Sequence, residues 1–439
     1  MDVRSLAHAV LTKEASPDKL FDEKEINCIA DALPALENTL NQLKWPDRRS
    51  LFYYGDEYMM LESEYNQAVL ADTIRRFHYG NATSDIMLQD NNTPLSTSIQ
   101  PGATKKPWEK LNVSCTDLLN KMRECAEVKD HGPIFVLAAS DPVYVGGNAF
   151  CGGQTLGADL CRISDYGIAL VKHARENGDF KHGLNQTDII LVYNQSLSSD
   201  KVLVAKNLRV VKTCQSSDVN KVKQVVNLEA KAQFQISIVS NRSLILRALR
   251  PFSAEEKEET TKLIRAHLTA MINNGGRVAV LTDFGCGRCC NMPNDIAGIY
   301  FQILVEENYI QFFDKVEFAI FNKLNADIFQ SIFQAGFAPM IAAAKVADEK
   351  QQTATPAPVL AATASLSAAV PPTAGAVIPA ASSAAANSGP LDILGSMRAQ
   401  AAARVGGVSA GGVFKPVVVR QSNQPKASSD SQHNKPQIP

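Results

Sequence analysis

Two glycine-rich segments hold the residue types best suited to chemistry. The first runs from Ser140 to Gly153 (SDPVYVGGNAFCGG) and the second from Thr282 to Asn291 (TDFGCGRCCN). Glycine lets backbone N–H groups close on an anion with no Cβ in the way. A helix that starts after such a loop adds its positive end. Gly146, Gly147, Asn148, Gly152 and Gly153 are the candidate ligand-binding residues of the first loop. In the second they are Phe284, Gly285, Cys286, Gly287, Arg288, Cys289 and Asn291. Either loop alone reads equally well as a tight turn; together they suit a diphosphate clasped from two sides. Two acids border the loops, Asp141 and Asp283. A carboxylate there repels phosphate unless it faces a hydroxyl or the bond to be broken, so both are candidate general acid–base groups. Asp295 fits a helix start favoured by the dipole. Asp159 fits a solvent-facing or salt-bridge role.

Other chemistries find less support. Cys286, Cys289 and Cys290 cluster, and thiolates bind zinc, but no second pair matches them and His173 and His182 are far along the chain. A catalytic cysteine needs a base, and neither loop contains a histidine. Neither has the Gly-x-Gly-x-x-Gly turn of a nicotinamide enzyme. No metal and no cofactor is expected. Tyr144 and Phe150 either flank a sugar or a base, or cover a core.

The elements that must position these loops alternate in kind. Ile134 to Ala139 (IFVLAA) predicts a buried strand ahead of the first loop, and Arg277 to Leu281 (RVAVL) one ahead of the second. Further strands are predicted at Asp188 to Val192, Val202 to Val211, Gln233 to Ser240 and Val316 to Phe321. Helices are predicted at Cys115 to Cys125, Ala158 to Glu176, Ser253 to Asn274 and Pro293 to Glu307. Ser253 and Glu256 form a capping-box pattern, and Gly275 stops that helix. Such alternation argues for a mostly parallel α/β sheet covered on both faces. Upstream, Asp18 to Leu43 and Glu57 to Phe77 read as amphipathic helices, the first interrupted by Pro34, and Ala82 to Pro107 reads as a loop.

The chain has 439 residues, 45% of them hydrophobic, with a formal net charge of -1. That affords a sizeable core and gives no overall pull toward nucleic acid or anionic membrane. No apolar run is long enough to span a bilayer, and the first residues lack the apolar core of a signal peptide. Nine cysteines at irregular spacing do not form a disulfide framework and fit a reducing cytoplasm. Thr353 to Ser388 is Ala, Pro, Ser and Thr with almost no charge, which predicts disorder. The tail is either a plain flexible tail, or an export signal or docking segment. The expected organisation is therefore a helical region 1–110, an α/β domain 111–341 and a disordered tail 342–439.

Taken together, the two loops resemble the macrodomains, in particular the microbial type of poly(ADP-ribose) glycohydrolase. Gly146, Gly147 and Asn148 stand at that family's triple glycine, and Leu160, Cys161, Arg162 and Ser164 match its Leu-Cys-Arg-x-Ser helix. Gly285, Cys286 and Gly287 match its second signature, and Asn291, Pro293 and Asp295 fit the helix start that follows. The resemblance implies a three-layer α/β/α sandwich with a mixed, mostly parallel sheet. It also implies ADP-ribose as ligand, with Gly285 to Cys289 wrapping the diphosphate.

The family's Gln-Glu-Glu falls on Leu156, Gly157 and Ala158, so both catalytic carboxylates are missing. Losing general acid–base help costs roughly 10²–10⁴-fold, and efficient cleavage of poly(ADP-ribose) chains is not expected. Asp283 and Asp141 suit a different bond, such as mono-ADP-ribose on an arginine of a modified protein. The layout resembles secreted bacterial effector macrodomains that remove ADP-ribose from ubiquitin. The expected partner is ADP-ribose or an ADP-ribosylated protein, with ubiquitin one carrier. The alternative is a reader that binds ADP-ribose without turnover.

Overall fold

The computed structural model describes residues 21–42, 55–78, 84–101, 105–128, 132–140, 146–147, 149–153, 155–177, 201–214 and 224–353. The expected strand at 188–192 and the expected disordered segment lie outside these residues. The chain divides into two units, Met1–Ala357 and Pro358–Pro439, and every described residue lies in the first.

The centre is a seven-stranded sheet. Its strands are β1 (Asp85–Asp90), β2 (Leu111–Ser114), β3 (Ile134–Ser140), β4 (Lys201–Val210), β7 (Phe234–Arg242), β8 (Val278–Leu281) and β9 (Lys315–Ala319). A small separate hairpin pairs β5 (Lys212–Cys214) with β6 (Val225–Asn227). The order across the sheet is β1-β4-β7-β3-β8-β9-β2. β7, β3, β8, β9 and β2 run parallel, while β4 is antiparallel to both β1 and β7.

Alternation along each strand sorts side chains to two faces. Ile134, Val136 and Ala138 of β3 join one apolar cluster, whereas Phe135 and Leu137 join the other. The first face is covered by α1 (Glu23–Ala30), α2 (Leu33–Gln42), α3 (Gly55–Arg76), α4 (Leu118–Glu127), α5 (Leu156–Ile163) and α6 (Tyr166–Asn177). The second is covered by α7 (Ala254–Asn273), α8 (Pro293–Phe301) and α9 (Lys323–Thr353). This is a mixed, mostly parallel α/β/α arrangement, as the sequence predicts.

Local signals explain several boundaries. Ser253 Oγ accepts from the Glu256 N–H at 3.2 Å, and Glu256 Oε2 accepts from the Ser253 N–H at 2.8 Å. These satisfy orphan donors at the start of α7. Gly275 ends that helix at φ +85°. Pro293 opens α8 at a position where no N–H is needed.

Three differences from the sequence expectations have physical causes. Residues 82–107 are not all loop, because Asp85–Asp90 forms β1 at the open edge of β4. Its three apolar residues, Ile86, Met87 and Leu88, stand in a row between polar ones instead of alternating with them, so the period-two signal of a half-buried strand is missing. The helix predicted from Ala158 to Glu176 is two helices, parted where the extended Ser164 bridges Val210. As expected, the helical stretch breaks near Pro34: α1 ends at Ala30 and α2 begins at Leu33, with Pro34 in its first turn, where proline is tolerated. Finally, α9 runs on past residue 342 to Thr353, because Ala, Lys, Glu and Gln are strong helix formers.

The N-terminal helices share the domain core. Tyr65, Val69 and Ile74 of α3 are fully buried in the cluster that holds Val136 and Leu203. Lys212 Nζ meets Asp72 Oδ2 at 2.8 Å and the Val69 carbonyl at 2.9 Å, tying β5 to α3. Burial pushes the Lys212 ammonium down to about 8. Burial alone would raise the Asp72 carboxyl, but Lys212, Arg75 and Arg76 hold it far below the usual range.

Candidate functional site

The two glycine loops leave neighbouring parallel strands, β3 and β8, at the same sheet edge. Ligands of open α/β sheets bind outside the carboxyl ends of strands.

In the second loop, all four residues of β8 are buried. Past its end the backbone turns through Gly285 at φ +78° and Cys290 at φ +57°. The Cys286 N–H donates to the Asp283 carbonyl at 2.9 Å, Cys290 N–H to Gly287 at 3.0 Å, and Asn291 N–H to Gly285 at 3.0 Å. Among the described residues, no such bond uses the N–H of Gly285, Gly287 or Arg288. Gly287 and Arg288 are exposed. Free donors in such a turn make an anion-binding concavity, and the Arg288 guanidinium adds charge of the matching sign.

Elements on both sides hold this loop in place. Ser243 Oγ donates to Cys289 Sγ at 3.0 Å, and the Leu246 N–H donates to the Cys289 carbonyl at 2.9 Å. Asp295, in the first turn of α8, accepts from the Phe252 N–H at 3.2 Å. It therefore braces the segment ahead of α7. Asn291 is fully buried, and its amide abuts Gly285: a Cβ on that glycine would lie 2.0 Å from Asn291 Nδ2. Neither side-chain atom of Asn291 has a hydrogen-bond partner among the described residues. Phe284 is fully buried too, with its ring 5.2 Å from that of His267. It faces the core beneath the loop, which corrects the expectation of a direct ligand contact.

Asp283 stands between β8 and the loop. Asn325 Nδ2 donates to its Oδ2 at 2.6 Å, and Thr282 Oγ1 donates to its Oδ1 at 3.2 Å. Burial raises its pKa, and the Asn325 and Thr282 bonds only partly offset that. A carboxyl raised in this way, held by neutral donors and with no cation against it among the described residues, is suited to exchanging protons. Burial pushes the Cys286 thiol far up, which makes it a poor nucleophile.

In the first loop, Gly146, Gly147 and Gly152 have φ values of +75°, +62° and +74°. Crowding reinforces the need for glycine: a Cβ on Gly147 would fall 1.6 Å from Thr155 Oγ1, and one on Gly152 2.4 Å from the Ser63 carbonyl. The helix motif that follows is the loop's anchor. Arg162, 2% exposed, donates to the Gly153 carbonyl at 2.6 Å and to Asp159 Oδ1 at 2.5 Å. Cys161 Sγ lies 3.8 Å from the Gly146 carbonyl, and Thr155 Oγ1 donates to the Gly147 carbonyl at 3.0 Å. Asn66 of α3 donates to the Gly152 carbonyl at 3.1 Å. Asp159 is thus a salt-bridge partner. Phe150 packs against Phe21, ring centroids 6.4 Å apart, and covers the core. Asp141, Tyr144 and Asn148 lie outside the described residues.

Leu156, Gly157 and Ala158 form the first turn of α5 directly under this loop. A Cβ on Gly157 would lie 3.2 Å from the Gly146 carbonyl carbon and the Gly147 nitrogen. A larger side chain there requires the loop backbone to give by a few tenths of an ångström.

Sequence reasoning missed Asn325, Ser243 and Asn66, which reach the loops from distant elements. No local pattern marks them. A cavity of about 620 Å³ lies elsewhere, between β2 and α9, lined by Trp108, Leu111, Phe333 and Phe337 among others. No described residue of either glycine loop lines it. Among the described residues, no three His, Cys, Asp or Glu side chains are placed to hold a metal ion, and no helix is long and apolar enough to cross a membrane.

No known protein family matches the sequence, and no curated protein matches it. Among solved structures it is similar to the poly(ADP-ribose) glycohydrolase of Thermomonospora curvata, at 16% identity and a TM-score of 0.47, covering 61% of this chain and 98% of that one. The same enzyme bound to the inhibitor ADP-HPD gives 15% and 0.40, covering 60% and 87%. The glycohydrolase of Deinococcus radiodurans in complex with ADP-ribose gives 17% and 0.39, covering 53% and 85%. Likeness at this level carries no activity from those proteins to this chain.

Proposed function

We propose that the chain binds ADP-ribose across the two glycine loops and hydrolyses mono-ADP-ribose from modified protein, with Asp283 as the acid–base group. One observation carries the catalytic part. A half-buried carboxyl, held by neutral donors, stands at the root of a loop that offers backbone N–H groups and an arginine to an anion. The diphosphate lies on Gly285, Gly287 and Arg288, and the distal ribose reaches toward Asp283. Gly146, Gly147, Gly152 and Gly153 approach from the β3 side, with Asp141, next in sequence after β3, as a second carboxylate.

For an arginine-linked substrate the step balances with water alone. The water oxygen bonds to the anomeric carbon and the carbon–nitrogen bond breaks. The water's proton passes through Asp283 to the departing guanidine. General acid–base help of this kind contributes roughly 10²–10⁴-fold. Ubiquitin is one protein that would carry such a modification.

A second reading has its own observation. Leu156, Gly157 and Ala158 carry no proton-transfer group where the resembled family carries its glutamates, which favours a reader that binds without turnover. Calorimetric titration with ADP-ribose, followed by measurement of ADP-ribose freed from mono-ADP-ribosylated protein, separates the two. Binding with steady release supports the hydrolase, binding alone supports the reader, and no binding overturns both.

A further inference from the structure

We propose that Asn325 is the positioning residue for the Asp283 carboxyl. It fixes the plane of the carboxyl and leaves a site on it for water or substrate. The inference rests on the reading of Asp283 as the acid–base group.

The geometry is set by the chain order across the sheet. β9 lies next to β8, and only three residues separate the end of β9 from the start of α9 at Lys323. The first turn of α9 therefore returns over the end of β8. That turn is itself fixed, because Asn322 Oδ1 accepts from the Leu324 N–H at 2.9 Å and from the Asn325 N–H at 3.3 Å. Asn325 is 9% exposed, so its amide has little freedom to seek water instead. At 2.6 Å its bond to Asp283 Oδ2 is short, as expected for a charge-assisted bond.

The residue type matters as much as the distance. A carboxylate has about four lone-pair sites. Asn325 takes one on Oδ2, Thr282 takes one on Oδ1, and the residue's own N–H also bonds the carboxyl, so at least one site remains. A lysine or arginine in the place of Asn325 would hold the carboxyl equally well but would stabilise it as the anion. An amide orients it while leaving its proton exchangeable.

Two variants and two readouts test this. In Asn325→Ala, kcat for release of ADP-ribose from a mono-ADP-ribosylated arginine peptide should fall about 10- to 100-fold, while KM and the affinity for free ADP-ribose stay unchanged. The acid limb of the rate profile should move to higher pH, because a donor to the carboxylate is lost. Asn325→Asp keeps the shape but sets two carboxyls to share a proton, so its activity should return on the acid side. The second readout needs no substrate: the ¹³C carboxyl signal of Asp283, assigned by its loss in Asp283→Asn, should titrate at higher pH in both variants. A titration unchanged in both overturns the inference, as does a loss of rate matched by KM with no shift of the profile. Should Asn325→Ala not fold, the isosteric Asn325→Asp gives the same titration. If the wild type binds ADP-ribose and frees none, the acid–base reading fails, and the carboxyl titration still decides whether Asn325 governs Asp283.

Discussion

Gly285 and Asn291 occupy each other's space: a Cβ on the glycine would stand 2.0 Å from the asparagine's Nδ2, itself fully buried. The chain reverses between them, and the Asn291 N–H closes the reversal on the Gly285 carbonyl at 3.0 Å. Gly285→Ala therefore adds both a clash and a side chain at φ +78°. It should cost several-fold in ADP-ribose affinity even where the protein still folds. Parallel calorimetry and thermal melts on the same preparation check this; an alanine variant with wild-type affinity contradicts the loop geometry.

Asn291 allows a prediction of opposite sign. A buried amide with no partner carries a desolvation cost of about 1–3 kcal/mol. Asn291→Leu, close in size, removes that cost and should raise stability toward urea by an amount of this order. It should also weaken ADP-ribose binding, since the loop loses the polar group next to Gly285. A variant less stable than wild type would show that the amide is satisfied in solution.

Arg162 secures the other loop. Its guanidinium bridges Asp159 Oδ1 at 2.5 Å and the Gly153 carbonyl at 2.6 Å while 2% exposed. Lysine cannot fork to two acceptors in this way. Asp159→Asn should leave a buried charge poorly matched and Arg162→Met should leave a buried carboxylate; breaking such pairs costs about 3–5 kcal/mol. Hydrogen exchange should rise at 146–153 in Arg162→Lys before it rises in β3. Uniform exchange across both would count against the anchoring role.

His267 links stability to pH. It is fully buried, bonds Tyr300 Oη through Nε2 at 3.0 Å, and burial pushes its pKa down to about 3. In the unfolded chain a histidine takes up its proton near pH 6.5. Between those values the unfolded state binds the extra proton, so this contribution to stability is complete above about pH 6.5 and is lost as pH falls toward 3. The slope from this one group is about 1.4 kcal/mol per pH unit. Asp165, raised by burial to about 6, acts in the opposite direction between the ordinary Asp range and that value. The difference between wild type and His267→Gln isolates the histidine. Denaturation midpoints from pH 4 to 7 should fall less steeply with acid in the variant, and equal slopes would refute the assignment.

Much of the scaffold can be read from residues alone because it depends on local pattern. Ile134 to Ala139 and Val278 to Leu281 are apolar runs of strand length, and Ser253 with Glu256 marks the start of α7. The elements that hide are those decided by distant partners. β1 exists because β4 offers it an edge. The break between α5 and α6 exists because Ser164 pairs with Val210, although the apolar spacing continues across it. Within the site, the glycines are legible because their backbone needs them, as φ values at Gly146, Gly147 and Gly285 show. Phe284 sits in the loop by sequence, yet its ring belongs to the core around His267 and Tyr300. Asn325 could not be found from sequence, since 42 positions separate it from Asp283 and an asparagine at a helix start is usually a cap.

The most direct test compares wild type with Asp283→Asn on one mono-ADP-ribosylated arginine protein, with ADP-ribose affinity measured on both. Both should bind ADP-ribose, and the variant should release it roughly 10²–10⁴-fold more slowly. Equal release by the two proteins, at equal affinity, would contradict the acid–base role of Asp283.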